Sequence, residues 1–227
     1  MSKLYGLIFD VDGVVADTEA ANAAVSIRVF ADLFDVTGVQ RADFEAGLGR
    51  GAEEYVKAAA RVHSLELTDP QIAQAARLRQ EYFLKLLAEQ PLPAYPGVLE
   101  LIDAAEVHPD FRLAIATSST REKSQAVLQS ACVPYQRMIY ITGSEVTNKK
   151  PHPELFQLAA RQLELPPRRC LVIEDAPNGI AAAHAAGCPC IAVTNTTVSE
   201  NLTPAELIVT SLAHITLDTV AQLIDSK

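Results

Sequence analysis

Two textures alternate along this chain. Short apolar runs occur at LYGLIF (4–9), FRLAIA (111–116), MIYIT (138–142), CLVIE (170–174), CIAVT (190–194) and ELIVT (206–210). They are rich in aliphatic and β-branched side chains and lack strict alternation, the pattern of strands buried on both faces of a parallel sheet. Helical spacing fills the gaps. Gly97–Val107 sets Val98, Leu101, Ile102 and Ala105 on one face, and Pro153–Glu164 does the same with Leu155, Phe156, Ala159 and Leu163. Ser119-Thr120-Arg121-Glu122 reads as a capping box. Pro177 fits the first turn of a helix that ends at Gly187. Strand followed by helix, repeated, predicts an α/β fold with a doubly wound parallel sheet.

The stretch from about Asp17 to Gln90 breaks this rhythm and is helical almost throughout. Thr68-Asp69-Pro70 marks a helix start, with Asp69 as N-cap and Pro70 in the first turn. Ile72, Ala75, Leu78, Tyr82 and Leu86 form its apolar stripe, and Pro91, Pro93 and Pro96 make a stiff return. The expected organisation is a core domain of residues 1–16 and 92–227 with an all-helical domain, 17–91, inserted in it. No internal repeat or low-complexity tract occurs.

Composition narrows the function. A chain of 227 residues with 49% hydrophobic and 21% charged residues can bury a large core without staples. Its net charge of −9 argues against nucleic acid as a partner, because phosphate backbones select Lys- and Arg-rich surfaces. It permits a small phosphorylated molecule, for which one local basic pocket suffices. No apolar stretch reaches the roughly 18 residues of a membrane span, and no targeting pattern is seen, so a cytoplasmic protein is expected. Cys132, Cys170, Cys188 and Cys190 lack zinc-knuckle spacing and read as buried reduced thiols. Asn195-Thr-Thr and Asn201-Leu-Thr match the glycosylation pattern, by accident if no secretory signal accompanies them.

The chemistry-bearing residues follow the predicted strands. Asp10-Val11-Asp12-Gly13 lies just past the first, where open α/β sheets bind ligands. Two acids so close favour a hard cation such as Mg²⁺, though an Asx-type turn closed by Gly13 would explain them too. Thr117, with Ser118 beside it, ends the second strand ahead of a helix N-terminus, an anion-binding arrangement, while Ser119 suits a plain cap. Lys150-Pro151 offers a cation for phosphoryl oxygens, with Lys149 read as solvated. Glu174-Asp175 ends the fourth run and could complete a metal cage with Asp10 and Asp12, or one of the pair could cap the next helix. Acid pair, hydroxyl, lysine and acid pair together make a phosphoryl-transfer set.

In that order the motifs resemble the haloacid dehalogenase superfamily over essentially the whole chain. The helical insert after the first motif is similar to the subgroup of β-phosphoglucomutase and sugar-phosphate phosphatases. The resemblance implies that Asp10 is the nucleophile and Asp12 the general acid and base. It implies that Thr117, Ser118 and Lys150 hold the phosphoryl oxygens. Asp10, the Asp12 carbonyl, Asp175 and, assisting, Glu174 would bind Mg²⁺. The insert would be a mobile cap, with Gly49 and Arg50 in a specificity loop and Arg79 a further candidate. The mutases carry a histidine where this chain has Asn22, which favours hydrolysis. The expected enzyme is a monomeric phosphatase acting on a small phosphorylated metabolite. A mutase is the nearest rival, and a dehalogenase, a phospho-Asp signalling domain and an inactive binding module rank lower. His63, His108, His152, His184 and His214 share no motif, and only His152 falls beside a site element.

Overall fold

Six strands, β1 (Tyr5–Phe9), β2 (Phe111–Ala116), β3 (Ile139–Ile141), β4 (Cys170–Glu174), β5 (Cys190–Val193) and β6 (Leu207–Val209), form one sheet in the order β3-β2-β1-β4-β5-β6. Every neighbouring pair is parallel. The coordinates are a computed structural model that describes residues 3–47 and 51–226. All six apolar runs are strands, trimmed by a residue or two at some ends. β1, β4 and β5 are buried throughout, which is why their sequences show no polar alternation.

Contacts divide the chain into two units, Met1–Asp17 with Leu92–Lys227, and Thr18–Pro91. The second holds α1 (Thr18–Phe34), a 3₁₀ turn at Arg41–Gly47, α2 (Ala52–Val62) and α3 (Asp69–Glu89). Its core includes Val29, Phe30, Phe44, Tyr55, Val56 and Ile72, with Phe44 stacked on Tyr55 at 4.6 Å between ring centroids. α3 begins one residue earlier than expected. Thr68, not Asp69, is the N-cap, because Gln71 Oε1 accepts from both the Thr68 amide (2.9 Å) and its hydroxyl (2.7 Å). Further along α3, Phe83 and Leu87 are buried, whereas Tyr82 lies at the margin with its hydroxyl on Asp32 Oδ2. A 3.6-residue period drifts off a fixed three-four pattern over a helix of that length.

The remaining helices belong to the first unit: α4 (Val98–Val107), α5 (Arg121–Ser130), α6 (Glu154–Gln162), α7 (Pro177–Ala186) and α8 (Leu217–Asp225). Leu155, Phe156, Ala159, Ile180 and Ala183 from α6 and α7 pack with Ile8, Val172 and Ala192 of the sheet. Gly187 closes α7 in the left-handed conformation (φ 88°). α5 corrects the capping expectation: its N-cap is Thr120, whose hydroxyl accepts from the Lys123 amide, and Ser119 is released for another use. Cys170, Cys188 and Cys190 are buried free thiols, but Cys132 is exposed. Among the described residues no helix is long and apolar enough to cross a membrane.

Candidate active site

Register brings the motifs level. Phe9 pairs with Ile115 on one side and Ile173 on the other, so Asp10, Ala116 and Glu174 emerge side by side. The Asp10 amide extends the ladder by donating to the Ile173 carbonyl (3.1 Å). Thr117 follows Ala116, and its amide donates to Ile141 (3.1 Å). With strands spaced by about 5 Å, these ends span roughly 10 Å. The order of β2, β1 and β4 makes this the crevice where successive connections leave on opposite faces, the place where such sheets take ligands.

Lys150 organises the deep part of the site. Its ammonium donates to Asp10 Oδ1 (2.6 Å) and to Glu174 Oε1 (2.5 Å), over the Phe156 ring at 5.0 Å from its centroid. All three charged side chains are nearly excluded from solvent. Burial pulls the Lys150 ammonium down, but the charges of Asp10 and Glu174 outweigh it and hold it above the usual lysine range. Burial raises the Asp10 carboxyl to about 7, against the opposing pull of Lys150 and with help from the Glu174 and Asp12 charges. Burial, then Glu174 and Asp10, push Asp175 well above the usual carboxylate value.

Both oxygens of Glu174 are committed. Oε1 takes Lys150, and Oε2 accepts from the Asp175 (2.9 Å) and Ala176 (3.1 Å) amides at the start of α7. Glu174 thereby anchors the lysine and serves the helix start. Gly179 makes this possible, since a Cβ there would sit 1.9 Å from the Glu174 carboxylate. Asp175 Oδ2 accepts from the Thr196 hydroxyl (2.6 Å). Gly13, at φ 76°, turns the chain past it, and a Cβ at Gly13 would lie 2.0 Å from that same oxygen.

Asp12 occupies a different setting at the rim. Ser119 donates to its Oδ2 (2.5 Å), and Lys123 pairs with its Oδ1 (2.7 Å). Thr117 is buried, and its Oγ1 accepts from the Ser119 amide (3.1 Å), while Ser118 is half-buried beside it. Lys149, read as solvated, places its ammonium on the Gly143 carbonyl (2.6 Å) and so ties the loop before Lys150. His152 is exposed and its Nδ1 accepts from the Glu154 amide, so it does not join the cluster. Gly49 and Arg50 lie outside the described residues. Asn22 and Arg79 belong to the helical unit, where Asn22 is buried and Arg79 stacks 4.8 Å from the Tyr55 ring centroid.

The donor set suits a hard cation. Asp10, Glu174 and Asp175 bring three carboxylates to a buried cluster in which Lys150 supplies one balancing charge. Among the described residues no three acidic, His or Cys side chains form a closed metal cage. Mg²⁺ does not require one. It is commonly held by one or two carboxylates, with waters and substrate phosphate completing the octahedron.

Comparison with known proteins resolves the family. The family model described as "Hydrolase: haloacid dehalogenase-like hydrolase" matches residues 6–187. The chain belongs to the haloacid dehalogenase-like hydrolases. It is 32% identical over 193 residues to Protein CbbY of Cereibacter sphaeroides, covering 82% of each chain. It is 28% identical over 211 residues to phosphoglycolate phosphatase of Salmonella typhi, covering 86% of this chain and 82% of that one. A crystal structure of a CbbY variant from Rhodobacter sphaeroides in complex with xylulose-(1,5)bisphosphate superposes with a TM-score of 0.85 at 29% identity, over 96% of this chain and 99% of that one. β-Phosphoglucomutase from Clostridium difficile, at 23% identity and a TM-score of 0.80, shares the fold. Within the haloacid dehalogenase-like hydrolases this chain is therefore an enzyme of the phosphatase kind.

Sequence reasoning missed Lys123, Asn195 and Thr196. Lys123 stands four residues after Ser119, a spacing that turns both toward one side at a helix start. Asn195 and Thr196 lie just beyond β5, after Thr194, and the rule that sent attention to the ends of the other strands applies equally there.

Proposed function

We propose that this hydrolase is a Mg²⁺-dependent phosphatase that removes phosphate from a sugar phosphate or similar small metabolite through an aspartyl phosphate on Asp10. The observation that carries the reading is the Asp10–Lys150–Glu174 triad, which sets a buried carboxylate against a fixed ammonium at the sheet's ligand-binding edge. Asp10 attacks phosphorus, and the bond from phosphorus to the ester oxygen breaks. Asp12 donates its proton to the leaving alkoxide. The Asp12 carboxylate then takes a proton from water, the water oxygen attacks phosphorus, and Asp10 and inorganic phosphate are released. Lys150 and the hydroxyls of Thr117 and Ser118 bind phosphoryl oxygens. Asp10 and Asp175 side chains, with the Asp12 carbonyl, would hold Mg²⁺, which when bound offsets the carboxylate charge and polarises the phosphoryl group.

The sugar-phosphate class is taken from the relatives, and the helical unit is assigned the task of choosing among such substrates. The test is phosphate release from a panel of sugar mono- and bisphosphates with Mg²⁺, beside Asp10→Asn. The wild type should release phosphate without isomerising a hexose 1-phosphate. Asp10→Asn should lose about four orders of magnitude or more in turnover, with circular dichroism unchanged. Substantial residual release by Asp10→Asn would overturn the assigned nucleophile, and isomer formation would make the chain a mutase.

A further inference from the structure

The loop that follows β5 contacts both acid motifs. Thr196 donates its hydroxyl to Asp175, at 2.6 Å from Oδ2 and 3.0 Å from the main-chain oxygen. The adjacent Asn195 donates its side-chain amide to the Gly13 carbonyl (2.8 Å), in the turn that carries Asp10 and Asp12. The packing is tight, since a Cβ on Gly13 would lie 2.0 Å from Asp175 Oδ2 and 2.6 Å from Thr196 Cγ2. Register explains the meeting. Glu174 pairs with Ala192, so the residues just past Val193 emerge beside Asp175.

We infer that Thr196 is a positioning residue for the metal, and that Asn195-Thr196 forms a further element of the active site. The inference rests on the proposed use of Asp175 as a Mg²⁺ ligand. A carboxylate has two oxygens and a free torsion about Cβ–Cγ. A hydroxyl fixed on Oδ2 removes that freedom and leaves Oδ1 as the oxygen to meet the ion. Partners of this kind behind a ligand typically change metal affinity by 10–100-fold when removed. Asn195 holds the opposite wall, because its bond to Gly13 fixes the turn through which the Asp12 carbonyl is presented.

The substitutions Thr196→Ala and Thr196→Ser separate the hydroxyl from the packing, since both delete the methyl and only Ser keeps the oxygen. The full chain, free of substrate, is titrated with Mg²⁺ alone, and binding is read by calorimetry and by the rise of melting temperature with ion concentration. The expected result is a Kd for Mg²⁺ at least tenfold weaker in Thr196→Ala and within threefold of wild type in Thr196→Ser, with unchanged circular dichroism for both. At saturating Mg²⁺ the Thr196→Ala enzyme should recover most of its kcat. Equal affinities for Ala and wild type, or equal losses for Ala and Ser, would overturn the role of the hydroxyl while leaving the metal site standing. Failure of the wild type to bind Mg²⁺ would remove the metal site itself and this inference with it. Should Thr196→Ala not fold, Thr196→Val takes its place against Thr196→Ser with the same criteria.

Discussion

Asp10 and Asp12 are separated by a single residue and live in different media. Asp10 is sealed under the sheet edge, against Lys150, with Glu174 and Asp175 adding negative charge nearby. Asp12 stands at the rim, partly open to solvent, held by Ser119 and Lys123. The deep carboxylate has lost water and gained a fixed ammonium, an environment for bonding to phosphorus or a cation. The rim carboxylate keeps access to water, which suits the proton transfer proposed for it. Gly13 and the turn after β1 send the two side chains into these separate settings, so one short motif offers two environments.

Lys150→Met probes the deep half and should have the larger effect. It leaves Asp10 and Glu174 buried without their cation, and breaking a buried pair from one side costs about 3–5 kcal/mol. Urea unfolding of the first unit should show that loss together with near-complete loss of turnover. A loss under about 1 kcal/mol would mean that the pair is far more hydrated than its burial indicates.

Lys123→Ala probes the rim. Stability should change little, because the pair is partly exposed. Turnover should fall about 10–100-fold for a sugar phosphate, whose alkoxide leaving group needs a proton. With p-nitrophenyl phosphate, whose leaving group needs none, the fall should be smaller, confined to the water-activation step that both substrates share. Equal losses on both substrates would show that Lys123 does not act through proton delivery to the leaving group.

The deep half also predicts a pH dependence of the metal-free protein. Asp10 has its folded value raised from 3.8 to about 7, burial being the main cause. The folded state thus holds this proton over a range in which the unfolded chain has released it. The stability contributed by the protonated group is complete below about pH 4 and is lost as pH climbs to about 7. The melting temperature should decline across that window without Mg²⁺ and decline less with it, since a bound cation favours the ionised carboxylates. A melting temperature that rises through the same window would contradict the raised value.

The two halves of the site also differ in how far they were legible in the sequence. The deep half depends on which residues end which strands. Buried strands advertise themselves as apolar runs, so the positions of Asp10, Thr117 and Glu174-Asp175 at strand ends were readable, whereas Lys150, in the loop between β3 and α6, was readable only as part of the motif order. Where each side chain turns was not readable. Glu174 bends back to Lys150 and the α7 amides because Gly179 leaves room, a contact that no spacing rule reveals. At the rim, Ser119 matched a helix cap, but Thr120 took that place and Ser119 reached Asp12 across more than a hundred residues of chain. Thr196 was hidden the same way, since its partner Asp175 lies on the neighbouring strand's end. In the helical unit the texture was plain, yet the N-cap of α3 was displaced by one residue because Gln71 reaches Thr68.

A carboxylate oxygen of Asp10 is the proposed acceptor of phosphorus. Borohydride quenching of the enzyme during turnover with Mg²⁺ and a hydrolysed sugar phosphate, followed by peptide mass spectrometry, reads this directly. Reduction of an acyl phosphate should convert residue 10 to homoserine, with Asp12, Glu174 and Asp175 unmodified. Turnover with no modification at residue 10, or modification at another acid, would contradict it.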